Sequence, residues 1–188
     1  MATQIGTIVN GVDVTQLVAT VNAIKEKPEL ARFRFRSHTD WLTGGHARTK
    51  IQEFYGAGTE DASRTRPFIL EGDEPPVLLG QNAGANAVEA VLHALASCLA
   101  VGFVYNAAAR GIRVESLEFD LEGKLDLQGF LGLSSAVRPG YDGIRVTYRA
   151  KTDAPREKVE ELCEYVQQTS PVLDIIRNPV PVTVSLEA

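Results

Sequence analysis

The chain has 188 residues, 44% hydrophobic and 23% charged, a composition that suits one globular domain and excludes a disordered or collagen-like chain. Against 19 Lys and Arg stand 24 Asp and Glu, a net charge of −5, which lacks the basic footprint of a nucleic-acid binder. Two cysteines with no CxxC spacing and three scattered histidines (His38, His46, His93) give neither a disulfide framework nor a metal-ligand pattern, so no metal and no cofactor is expected. The start shows no basic segment followed by an apolar run, and a reducing cytoplasm is the expected compartment.

In chain order, residues 13–27 read as a short amphipathic helix. Asp13 and Gln16 stand at capping-box spacing, Leu17, Val18, Val21 and Ile24 recur at helical intervals, and Pro28 ends it. "RFRFRSHTDWL" alternates Arg32, Arg34 and Arg36 with Phe33 and Phe35, which predicts a strand with one wet face. "TGG" turns the chain, and "HARTKIQEFYG" is the returning strand of a hairpin. Residues 58–66 read as a polar loop, and "PFILEGDEPPVLLG" as a strand followed by a Pro-broken connector.

The most apolar stretch, Ala87 to Ala109, carries Cys98 near its centre. Asn86 is a good N-cap, Glu89 falls at N3, and Gly111 closes the helix after Arg110. Glu89, His93 and Asn106 interrupt the run, so it reads as a core helix and not a membrane span; no membrane partner is expected. "VESLEFDLEGKLDL" alternates Leu117, Phe119 and Leu121 with acids, and "IRVTYRAKT" alternates with Arg145, Arg149 and Lys151 outward. Such complementary outer faces predict antiparallel neighbours. A second amphipathic helix, about Pro155 to Thr169, places Val159, Leu162, Cys163 and Val166 on one face, and "VLDIIRN" adds a turn after Pro171. "VPVTVSLE" alternates as a terminal strand. The order predicts an α+β domain, a largely antiparallel sheet packed with two main helices.

Three stretches, "GANAVEAVLHALASCLAVGFVYNAAARGI", "VESLEFDLEGKLDLQGFLGL" and "SPVLDIIRNPVPVTVSLE", together resemble the OsmC/Ohr family of osmotically inducible and organic-hydroperoxide-resistance proteins. The resemblance covers about residues 32–188, with 1–31 as an N-terminal helical extension. It implies an OsmC/Ohr-like fold in an intertwined homodimer with active sites at the subunit interface. It also implies a mid-helix cysteine that attacks a hydroperoxide, here Cys98. In the family an Arg of the first hairpin and a Glu at the start of the cysteine helix hold that thiol ionised, and a second cysteine resolves the oxidised sulfur. "GGHAR" resembles the place of the Arg, making Arg48 the first candidate for the cation and His46 the second. A cation is needed on physical grounds, because only the thiolate is nucleophilic and apolar burial disfavours it.

Two positions depart from the family pattern. Val88 stands where the Glu is expected, and Glu89 comes one place later, ~100° further around the helix. Glu89 therefore stays a catalytic candidate beside its capping role. Ser170 occupies the resolving position and forms no disulfide; Cys163, seven residues earlier, is a possible resolving thiol only if the helices cross in a different register. Tyr105 lies on the face of Cys98 and lines the same pocket in this reading. His93, i+4 from Glu89, reads as a core or interface histidine.

The expected activity is thiol-dependent reduction of an organic, including fatty, hydroperoxide, with an external thiol regenerating the enzyme. The alternative is a non-catalytic dimer that binds a hydrophobic small molecule in its cleft, with Cys98 as packing. A weaker third reading is acyl or persulfide chemistry at the same thiol.

Overall fold

The computed structural model describes residues 6–187. Residues 1–5 of the expected extension and Ala188 of the expected domain lie outside the described residues. The described chain divides into two compact units: residues 6–7 with Asp13–Val91, and Ile8–Val12 with residues 92–187.

Strands β1 (Ile8–Val9) and β2 (Val12–Asp13) form a hairpin where the sequence pattern predicts only the start of a helix. Its turn residues, Asn10 and Gly11, both sit at positive φ (53° and 77°), the conformation a two-residue type I′ turn demands. The Asn10 side chain donates to the Ile112 carbonyl and accepts the Val114 N–H, both at 2.9 Å, which ties this hairpin to the rest of the second unit.

In the first unit, Asp13 caps α1 (Val14–Glu26) by accepting the Gln16 N–H at 3.0 Å. The expected single strand over residues 32–42 is corrected to two: β3 (Arg34–Phe35) and β4 (His38–Thr43). The chain changes sheets at Arg36 and Ser37. Strand β4 pairs with β5 (His46–Ile51), whereas β3 pairs with β6 (Phe54–Gly56). Phe33, Phe35 and Phe54 cluster there with centroids 5.5–6.2 Å apart. The expected polar loop 58–66 is likewise corrected, since it contains β7 (Thr59–Asp61), the third strand of the β3–β6–β7 sheet. Strand β8 (Phe68–Gly72) lies on the other side of β5, in the β4–β5–β8 order.

The connector after β8 is organised by one buried carboxylate. Asp73 accepts the N–H groups of Glu74, Gln81 and Ala83 at 2.8, 2.9 and 3.0 Å. Those donors, Ala83 foremost, hold its carboxyl below the usual carboxylate range.

Helix α2 (Ala87–Ala109) buries one row of its surface, Leu95, Leu99, Phe103 and Ala107, spaced four residues apart. In the second unit this row meets Leu162, Val166 and Leu173, with half-buried Leu117, Phe119 and Leu121 of β9 (Val114–Lys124). After the single turn α3 (Leu127–Phe130), β10 (Gly143–Thr152) returns antiparallel to β9. The register sets Arg145 opposite Glu122 and Arg149 opposite Glu118, and both pairs form ion pairs, as does Lys151 with Glu115. The complementary outer faces expected from sequence are therefore neighbours.

Helices α4 (Arg156–Thr169) and α5 (Pro171–Arg177) follow, and α4 buries Leu162 and Val166. The expected terminal strand is a further correction. Residues 178–187 form no ladder, and Val182, Val184 and Leu186 are 77%, 90% and 99% exposed. Apolar alternation makes a strand only where a neighbour supplies hydrogen bonds, and none within the described residues does. The α+β class with antiparallel sheets holds.

Two outcomes follow from this packing. Phe103 is 1% exposed. Phe103→Ala is expected to cost about 3–5 kcal/mol, read as a lower urea midpoint at unchanged slope. The depressed carboxyl of Asp73 contributes stability in full above the unfolded-state value of about 3.9, and that contribution is lost as pH falls through the lower folded-state value. Asp73→Asn is thus expected to destabilise at neutral pH and to flatten the acid limb of stability. Urea midpoints collected from about pH 7 down to about pH 3 check this, and parallel curves for the two proteins would refute it.

Candidate functional site

Helix α2 starts as a capping box. The Asn86 side chain accepts the Val88 N–H at 2.8 Å, and the Glu89 carboxylate accepts the Asn86 N–H at 2.9 Å. This is the interaction the structure gives Glu89.

Three turns on, Cys98 is a half-buried free thiol. The residue placed beside it is Ser170, whose Oγ donates to Sγ at 3.2 Å. Local sequence explains why Ser170 is available there. Pro171 disfavours a helical conformation for the residue before it, and Ser170 accordingly adopts extended backbone (φ −77°, ψ 115°) at the break between α4 and α5. The break turns its side chain into the N-cap of α5, where Oγ accepts the Leu173 N–H at 3.3 Å.

A second contact, one helical turn away on each helix, sets the approach. A Cβ on Gly102 would stand 3.1 Å from Val166 Cγ1, so the missing side chain lets α4 lie close at this level. The two rungs, 98 with 170 and 102 with 166, define antiparallel helices. Continuing that register, Cys163 lies roughly 10 Å along α4 from Ser170, beyond the ~7 Å Cα separation a disulfide bridges. Cys163 is a free thiol too, and the structure does not bring it to Cys98. It lies beside Tyr148 of β10, whose hydroxyl hydrogen-bonds it. Burial pushes the Cys163 thiol above its usual value, and the Tyr148 hydrogen bond opposes that. Burial, with the neighbouring thiol adding to it, pushes the Tyr148 hydroxyl well above the usual phenol range.

The first unit holds a polar cluster of its own sheet. On β5, His46 and Arg48 both reach Glu71 of β8: His46 Nε2 to Oε2 at 2.8 Å, Arg48 Nε to Oε1 at 2.7 Å. Arg48 and Glu71 are direct cross-strand partners. The two bonds, His46 first, hold the Glu71 carboxyl below the usual range. Arg48 is thus paired with a carboxylate of the next strand rather than with Glu89. Sequence reasoning does not single out Glu71; its one signal is a lone acid inside the apolar strand "FILEG". Of the other candidates, His93 is exposed on α2 without a polar partner among the described residues, and Tyr105 is 48% exposed.

Chemically, the Cys98 thiol has a buried hydroxyl, and no second thiol, at its side. A two-electron oxidation there gives a sulfenic acid and not an intramolecular disulfide.

The family model described as OsmC-like protein matches residues 80–185. Among solved structures, an OsmC-like protein from Mycoplasma pneumoniae aligns with a TM-score of 0.59 at 13% identity, covering 78% of this chain and 89% of that one. An OsmC-like protein of unknown function from Vibrio cholerae O1 biovar eltor gives 0.54 at 12% identity, covering 75% and 92%. An organic hydroperoxide resistance protein OsmC from Legionella pneumophila gives 0.52 at 15%, covering 77% and 89%. At these identities the likeness is one of fold. No curated protein matches the chain.

The environment of Cys163 yields a direct test. In Cys98→Ser protein, alkylation of Cys163 by iodoacetamide at neutral pH is expected to be slower than that of free cysteine. Tyr148→Phe, which removes the opposing hydrogen bond, is expected to slow it again; a faster reaction in that variant would overturn the assignment.

Proposed function

The chain belongs to the OsmC-like family, and from that membership we propose that it reduces organic hydroperoxides with Cys98 as the attacking thiolate. The supporting observation is the free Cys98 thiol in contact with Ser170 at 3.2 Å, at the position where the family resemblance puts a resolving cysteine. Sulfur attacks the terminal peroxide oxygen, an S–O bond forms as the O–O bond breaks, and the alkoxide leaving group takes a proton to become an alcohol. Cys98 is oxidised by two electrons to the sulfenic acid. One external thiol condenses with it, releasing water and leaving a mixed disulfide; a second external thiol displaces Cys98 and restores it.

The proposal includes a cytoplasmic homodimer. Supporting an assembly are the exposed apolar alternation of Val180, Val182, Val184 and Leu186 and the exposed Val101 of α2. For the cation that keeps Cys98 ionised, Arg48 is the residue to test, because it occupies the hairpin position the resemblance indicates.

The deciding experiment is the second-order rate of Cys98 with cumene hydroperoxide in Cys163→Ser protein, followed by mass spectrometry with a sulfenic-acid trap. Rapid, stoichiometric trapping at Cys98 that collapses in Arg48→Ala is expected. A rate no better than that of a free thiol, with Cys98 recovered reduced, would sink the proposal and favour binding of a hydrophobic small molecule.

A further inference from the structure

Among the described residues the Cys98 sulfur has one hydrogen-bond partner, the Ser170 hydroxyl. Ser170 is 5% exposed, so water does not compete freely for that hydroxyl. The Ser170 hydroxyl donates to the sulfur and makes one further hydrogen bond. Oγ already accepts the Leu173 N–H, which fixes the side chain at the head of α5 and occupies a lone pair. The one hydroxyl proton is left to point elsewhere, and the sulfur lies 3.2 Å away, within reach of a long hydrogen bond to sulfur.

We infer that Ser170 is a catalytic residue: its buried hydroxyl donates to the Cys98 sulfur, favours the thiolate before attack, and stays a donor at the sulfenic acid after it. This rests on the reading of Cys98 as the attacking thiol. A hydrogen bond to an ionised acceptor is roughly twice as strong as one to a neutral acceptor, so a donor pinned at the sulfur favours the charged form. Because the backbone holds the donor in place, it needs no reorganisation when charge develops. The Ser170 oxygen also differs from a thiol in what it does next. It forms no bond to the oxidised sulfur, and the sulfenic acid waits for a reductant from outside.

The test uses full-length protein carrying Cys163→Ser, with and without Ser170→Ala and Ser170→Cys. Three readouts are taken: the pH–rate profile of Cys98 alkylation by iodoacetamide, the rate with cumene hydroperoxide, and the thermal unfolding midpoint. Ser170→Ala is expected to displace the alkylation profile to higher pH and to slow peroxide reduction about tenfold. Loss of the α5 cap alone would lower the unfolding midpoint and leave the alkylation profile where it was, which would overturn the inference. Ser170→Cys guards against an Ala variant that fails to fold. In that variant one equivalent of hydroperoxide is expected to convert Cys98 to the sulfenic acid. The thiol introduced at position 170 then condenses with it to a disulfide, with release of water. Trapped sulfenic acid at Cys98 with a free thiol persisting at position 170 would overturn the contact itself. If the parent protein reduces the hydroperoxide no faster than free cysteine, the peroxidase reading fails; if the parent is fast and Ser170→Ala equally fast, only the role of Ser170 fails.

Discussion

A 23-residue helix that is apolar almost all the way round can bury only the row that meets its neighbours, and the choice of row decides where the thiol goes. In α2 that row is Leu95, Leu99, Phe103 and Ala107, each within 4% of complete burial. Cys98 and Gly102 stand roughly 60–100° round from it. They occupy the margin of the core, close enough for contact with the α4–α5 junction and open enough to be half-buried. Moving the cysteine by one residue would place it either in the centre of the core or out in solvent. Neither position combines contact with Ser170 and partial exposure.

The same margin sets the two cysteines in different surroundings. Cys163 packs on β10 beside Tyr148, in surroundings that disfavour the thiolate. Cys98 meets a hydroxyl whose proton the α5 cap directs toward it. Similar apolar surroundings in the sequence conceal different polar neighbours. The difference lies in which polar group each sulfur touches, and that is a property of helix register.

Local patterns make much of the second unit legible. The limits of α2 are readable from Asn86, Glu89 and Gly111, and the β9–β10 pairing from charges of opposite sign on alternating positions. Elements whose partners are distant are harder. "RFRFRS" alternates like one strand, yet its two halves pair with different strands, and nothing local marks Arg36 and Ser37 as the crossing point. The two-residue "NG" turn is a strong local signal, but the helix cap at Asp13 follows so closely that it masks the short hairpin. At the site, Ser170 stands out by its position; its bond to Cys98 depends on a close helix approach that Gly102 permits, and a glycine inside an apolar helix does not announce its neighbour. Glu71 is silent in the sequence because its meaning comes from the strand register with Arg48.

The Asn10 side chain, bonded to Ile112 and Val114, has a consequence for how the chain is built. It closes a loop of about a hundred residues, and the whole stretch 13–91 lies inside that loop. As the chain leaves the ribosome the N-terminal hairpin has no docking partner until α2 and the start of β9 have emerged. The enclosed unit has its local strand pairs available long before. Closing so long a loop carries an entropy cost that rises only as the logarithm of its length, so the delay is mainly one of order of synthesis. The second unit is therefore assembled from both ends of the chain, and its completion is a late, non-local step in folding.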